Sequence, residues 1–154
     1  MSVVVEVPGR ETIELAHVVL DVNGTLTERG QLIDGVRERL AQVAAELVVH
    51  VLSADTFGTF AAVTEALGVQ GRTAMTGADK ARYVAELGAE RCAAIGNGAN
   101  DASMLETAAI GIAVLGPEGA AASALSSADI VCASILDAFD VLLDERTLVA
   151  TLRG

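Results

Sequence analysis

Three observations predict an α/β fold wound on both faces of a mostly parallel sheet. Short apolar, β-branched runs alternate with amphipathic segments of helical period. Polar residues suited to ligand chemistry recur directly after those runs, where ligands gather in such sheets. Two prolines, Pro8 and Pro117, are all that interrupt the 154 residues. With no linker composition and no internal repeat, one domain over residues 1–154 is expected.

The elements follow in order. Val3-Val4-Val5 and Ile13-Glu14-Leu15 flank Pro8-Gly9, the pattern of an N-terminal β-hairpin, expected to decorate a sheet edge. Buried-type runs predict strands over about 17–22, 48–53, 72–75, 91–96, 109–114 and 129–132. Amphipathic segments predict helices over about 34–46, 57–67, 78–87, 100–106, 118–126 and 134–143, with a further turn or two over 145–152.

Composition narrows the function classes. Hydrophobic residues at 52% and charged residues at 20% exclude disorder and fibrous repeats. The apolar runs near 48–52 and 108–115 fall well short of the roughly 20 residues of a spanning helix, so no membrane segment is expected. A net charge of −11 repels polyanions and disfavours nucleic-acid partners. Any phosphate site would therefore need a local cation or a metal. Two cysteines, Cys92 and Cys132, make no disulfide framework, and the N-terminus lacks the pattern of a secretory signal, so a cytoplasmic location is expected.

Four strand ends carry the chemistry. The first runs into Asp21-Val22-Asn23-Gly24-Thr25-Leu26-Thr27, a carboxylate followed by a turn whose free Gly24 and Thr25 N–H groups would surround an anion. The second ends in Ser53-Ala54-Asp55. Lys80 opens the helix over 78–87 and is the sole lysine among ten basic residues. The fourth predicted strand of the sheet, 91–96, ends in Gly96-Asn97-Gly98-Ala99-Asn100-Asp101, a glycine-rich turn with a second carboxylate.

In order and spacing these four segments resemble the motifs of the haloacid dehalogenase superfamily, and within it the phosphorylation domain of P-type ATPases and their small soluble relatives. The resemblance implies a three-layered, Rossmann-like domain and a phosphatase. It implies that Asp21 attacks phosphorus to form an aspartyl phosphate. Mg²⁺ would be held by Asp21, the Asn23 carbonyl, Asn97 and Asp101. Phosphate would be bound by Gly24, Thr25, Ser53, Ala54 and Lys80, with Lys80 neutralising charge on nucleophile and phosphoryl group alike.

Two positions depart from the family pattern. Asn23 stands where an ordinary phosphatase of this kind carries the aspartate that protonates the leaving oxygen, and an amide transfers no proton. General acid–base catalysis is typically worth about 10²–10⁴-fold, so turnover is expected to be slow, least so for leaving groups that depart without protonation. Asn97 replaces a metal-binding aspartate, which weakens attraction for a hard cation. About 25 residues separate Thr27 from Ser53, and a similar number Ser53 from Lys80, so no cap domain fits. An uncapped site implies a macromolecular substrate such as a phosphoprotein, or a homo-oligomer whose neighbours roof the site, and a small phosphorylated substrate is the other partner expected of a phosphatase. Without nucleotide-binding and membrane parts, ATP-driven transport is not expected. The competing reading is a phosphate-binding or protein-interaction module that kept the fold after losing two carboxylates.

Other residues read as structural. Asp55 suits a cap for the helix starting near Phe57. Asn100 suits a brace for its turn. His17 and His50 sit inside apolar strands as core or edge histidines, and Cys92 and Cys132 as small hydrophobes.

Overall fold

The computed structural model describes residues 2–54 and 59–154. The chain opens with the hairpin β1 (Val3–Val5) and β2 (Ile13–Leu15) and passes through Ala16 into β3 (His17–Asp21). A two-residue hairpin, β4 (Thr27–Glu28) and β5 (Gln31–Leu32), precedes α1 (Val36–Glu46) and β6 (Val48–Ser53). Then come α2 (Thr59–Leu67), β7 (Gln70–Thr73), α3 (Gly77–Leu87) and β8 (Cys92–Gly96). The C-terminal half adds α4 (Ala102–Thr107), β9 (Ile110–Val114), α5 (Ala122–Ser127), β10 (Ile130–Cys132), α6 (Ile135–Leu142) and α7 (Glu145–Leu152).

Six strands form one parallel sheet in the order β10-β9-β8-β3-β6-β7. The chain starts in the middle at β3, moves outward through β6 and β7, then returns to β8 and runs the other way. The strand order therefore reverses between β3 and β8, which opens a crevice at their carboxyl ends. The expected doubly wound α/β sheet is present.

Alternation along the central strands makes the three layers. Val18 and Leu20 of β3, with Ala93 and Ile95 of β8, face a core shared with Val36, Leu40 and Val43 of α1 and with Phe139 and Leu142 of α6. Val19, Cys92 and Ala94 face the opposite side, packing with Val84 of α3, Met104 and Leu105 of α4 and Ala124 of α5. Burial on both faces is what turns β3 and β8 into nearly unbroken apolar runs.

Several boundaries differ from the sequence expectation. The N-terminal hairpin pairs with itself and not with a sheet edge: Val3, Val5 and Leu15 are buried in the core that also takes Leu148 and Leu152 of α7. Strand β7 lies at 70–73, two residues before its predicted place. It is an edge strand with all four residues exposed, so no apolar run marks it. Helix α5 starts at Ala122; the stretch expected as its first turn is a loop, fixed by the Ala121 N–H donating to the Asn97 carbonyl at 2.8 Å. The predicted start of the helix near Phe57, and the cap at Asp55, lie outside the described residues. Among the described residues, no helix is long and apolar enough to cross a membrane.

On the α3 side of the sheet, at the start of β3, His17 Nδ1 lies 3.1 Å from His50 Nε2, and His50 Nδ1 lies 2.8 Å from the Tyr83 hydroxyl. The Arg72 guanidinium sits over the Tyr83 ring, 5.0 Å from its centroid. Burial holds both histidines below their ordinary pKa, helped by Arg91 for His17 and by His17 and Arg72 for His50. The two histidines are thus structural, as their apolar flanks suggest.

Candidate active site

Asp21 is the last residue of β3 and points to the α3 side of the sheet, as Val19 and His17 do two and four residues earlier. Lys80 is placed by the start of α3. Thr76 caps that helix: its hydroxyl accepts from the Asp79 N–H at 3.1 Å, and Asp79 Oδ2 accepts from the Thr76 N–H at 3.1 Å. With the first turn fixed, Lys80 projects inward and its side chain is 0% exposed.

Three residues distant in sequence meet there. Lys80 Nζ donates to Asp21 Oδ1 and to Asp101 Oδ1, both at 2.8 Å. Asp101 arrives through a short 3₁₀ turn after β8 that folds its carboxylate back on its own loop. Its Oδ2 accepts from the Asn97 N–H at 3.1 Å and the Gly98 N–H at 2.9 Å. Gly96 is required for this approach, since a Cβ there would lie 2.5 Å from Asp101 Cγ. The trio carries a formal net charge of −1 in a buried place, which favours a nearby cation.

Electrostatics follow from that burial. Desolvation, reinforced by the Asp101 charge, raises the Asp21 carboxyl to about 6 against the pull of Lys80 and the Thr25 hydroxyl. Burial alone would lower the pKa of the Lys80 ammonium, but the two carboxylates outweigh it and the net direction is upward. Lys80 stays charged.

Gly24 and Thr25 are held differently from the sequence expectation. The Gly24 and Thr25 N–H groups are not free: they donate to the Thr27 and Val22 carbonyls, both at 3.1 Å, because the chain closes a tight turn here with Gly24 at φ +77°. The Thr25 side chain also faces inward. Its hydroxyl lies 3.0 Å from Asp21 Oδ2 and 3.2 Å from Asn97 Oδ1, so it orients the carboxylate and is 1% exposed. Asp101 is buried, and its oxygens accept from Lys80 and two backbone N–H groups.

The remaining predicted residues surround the opening. Asn23 is exposed beside Asp21. Asn97 donates from Nδ2 to the Gly119 carbonyl at 3.0 Å, which turns its Oδ1 toward Thr25 and Asp21. Ser53 is buried at the end of β6, one residue beyond the partner of Asp21, and Ala54 follows it. Sequence reasoning missed the loop over 115–121, which carries that Gly119 carbonyl; its Glu118 Oε2 also accepts from the Arg29 N–H at the tip of the β4–β5 hairpin, at 3.1 Å. The signal available was the Gly-Pro-Glu-Gly run at 116–119, which marks a loop right after a buried strand.

Among the described residues no group of three or more His, Cys, Asp and Glu side chains could hold a metal. What does converge is an all-oxygen set: Asp21 Oδ2 and Asn97 Oδ1 share one hydroxyl neighbour. One carboxylate with neutral oxygens fits a hard divalent ion of the kind that completes its shell with water and substrate phosphate.

Known proteins resemble this chain in part of its sequence and in its fold. The family model of haloacid dehalogenase-like hydrolases matches residues 75–137, which include Lys80, Asn97 and Asp101. An uncharacterised protein of Methanocaldococcus jannaschii is 52% identical over 60 residues, a stretch that covers 39% of this chain and 64% of that protein. The deoxy-D-mannose-octulosonate 8-phosphate phosphatase of Haemophilus influenzae, solved in a cobalt-bound form, superposes with a TM-score of 0.67 at 18% identity, over 91% of this chain and 94% of that one. A zinc-transporting PIB-type ATPase gives 0.66 at 26% identity, over 79% of this chain and 20% of the transporter. In its family-model match over residues 75–137 and in the topology of its sheet, the chain resembles the haloacid dehalogenase-like hydrolases.

Proposed function

We propose that this protein is a slow, divalent-metal-dependent phosphohydrolase that forms an aspartyl phosphate on Asp21. The observation that carries the reading is the Lys80 ammonium held 2.8 Å from both Asp21 and Asp101 at the carboxyl ends of β3 and β8. A lysine buried among carboxylates is costly to the fold unless it has work to do at the adjoining opening. Here it keeps Asp21 oriented and meets the charge that develops on the phosphoryl oxygens. Phosphatase neighbours of the same fold support it. The octulosonate 8-phosphate phosphatase of Moraxella catarrhalis was solved with magnesium, phosphate and its sugar, and superposes with a TM-score of 0.67 at 17% identity.

The chain's own residues divide the labour. Asp21 is the nucleophile, Thr25 fixes its orientation, and Asp101 fixes Lys80. Ser53 and Ala54, with Lys80, line the phosphoryl position. Mg²⁺, held by Asp21, the Asn97 amide oxygen, the Asn23 carbonyl and Asp101, would supply charge neutralisation of the phosphoryl oxygens when bound. Among the described residues nothing caps the site, so a small phosphorylated molecule or a phosphoprotein reaches it directly, or a second copy of the chain roofs it.

The test is hydrolysis of an activated aryl phosphate with Mg²⁺. Asp21→Asn is expected to remove turnover at least ~10³-fold, in the range reported for loss of a nucleophile. Turnover that is equal in Asp21→Asn overturns the assignment.

A further inference from the structure

The phosphatase reading says how phosphorus is attacked; what surrounds Asp21 limits what can leave. A leaving oxygen is stabilised either by a proton from the enzyme or by its own weak basicity. The described groups that contact Asp21, or share its turn, hold no proton to give. Lys80 Nζ is 0% exposed and spent on two carboxylates. Asp101 is fully buried and accepts on both oxygens. Thr25 and Ser53 are alcohols, far too weakly acidic to protonate an alkoxide, and each is 1% exposed. Asn23, the exposed side chain beside the nucleophile, is an amide. Asn97 is another, with its NH₂ directed at Gly119. On the loop above, Glu118 Oε2 is committed to the Arg29 N–H.

We infer that this site, if it acts as a phosphatase through Asp21, is selective for a phosphoryl group on a weakly basic oxygen, and that its substrates are acyl phosphates and not alkyl phosphates such as sugar phosphates. The resemblance in fold to sugar-phosphate phosphatases then does not extend to substrate class. An Asp21 oxygen bonds to phosphorus while the bond from phosphorus to the leaving oxygen breaks, and the electron pair departs with that oxygen as a free carboxylate. Water then adds to phosphorus, the bond to Asp21 breaks with its pair returning to the carboxylate, and the water's proton passes to solvent. Neither step asks the protein for a proton. An alkoxide leaving in the same way forfeits the general-acid factor of about 10²–10⁴. A carboxylate is stable unprotonated at neutral pH and forfeits none of it.

The experiment compares kcat/KM with Mg²⁺ for acetyl phosphate, p-nitrophenyl phosphate, phenyl phosphate and glycerol 3-phosphate in the full chain and in Asn23→Asp. Acetyl phosphate reacts faster in solution as well, so the decisive quantity is the change in the acetyl-to-glycerol ratio between the two proteins. That ratio is expected to narrow ~10²-fold or more in Asn23→Asp, because the new carboxyl group helps only the leaving group that needs a proton. A second readout uses the unmodified protein alone: kcat/KM for p-nitrophenyl phosphate is expected to be nearly equal in light and heavy water. A ratio that stays put in Asn23→Asp, or a clear slowing in heavy water, overturns the inference while Asp21-dependent turnover leaves the phosphatase reading standing. If no substrate is turned over in an Asp21-dependent way, both fall.

Discussion

Two polar clusters, one half-buried and one buried, lie on the same face of strand β3, one at each end. At its start His17 joins His50 and Tyr83; at its end Asp21 joins Lys80 and Asp101. Both tie the sheet to helix α3, through Tyr83 and through Lys80 three residues earlier. The difference lies in charge and in direction. The histidine cluster is neutral, closed by its own hydrogen bonds and shielded by Arg72. The carboxylate cluster carries a net negative charge and abuts the crevice where the strand order reverses. Polar burial alone therefore says little about function; uncompensated charge at a strand's carboxyl end says much more.

Removing the cation from the charged cluster is expected to have the largest effect. Lys80→Met leaves Asp21 and Asp101 buried without a partner and should cost roughly 3–5 kcal/mol in urea unfolding, along with turnover. A cost below about 1 kcal/mol would show that the two clusters are braces of the same kind.

The dependence on pH sharpens the comparison next. The Asp21 carboxyl titrates at about 6 when folded against 3.8 as its ordinary value, so the native state holds a proton that the unfolded chain has released. Metal-free stability is accordingly highest below the ordinary value and declines as pH rises through 6, by up to roughly 3 kcal/mol from this group. Asp21→Asn should remove that decline, as read by urea midpoints between pH 4 and 7. An unchanged slope in the variant would place the titration elsewhere.

The smallest effect belongs to the neutral cluster. Tyr83→Phe deletes the hydrogen bond to His50 and should cost roughly 0.5–1.5 kcal/mol, with kcat for an aryl phosphate unaltered. A fall in kcat would mean that the far cluster positions Lys80 through α3.

The central strands and the charged trio were legible in the sequence for a shared reason. Burial on both faces writes β3, β6 and β8 as apolar runs, and a lysine or carboxylate just beyond such a run has few structural excuses. Strand β7 was misplaced because an exposed edge strand leaves Gln70-Gly71-Arg72 free to be polar. The hairpin β4–β5 was missed because two-residue strands show no periodicity. Spacing reveals which loop carries the Asp101 carboxylate, not that a 3₁₀ turn folds it back onto the Asn97 and Gly98 N–H groups. The pairing of His17 with His50 depends on strand register, which is set by the packing of the whole sheet.

The seclusion of the sole lysine has a practical consequence. Among these 154 residues, amine-directed labels such as acylating dyes find no ε-amino group on the folded surface. Uptake of label at Lys80 then reports the parting of α3 from β3, a built-in gauge of how often the core opens.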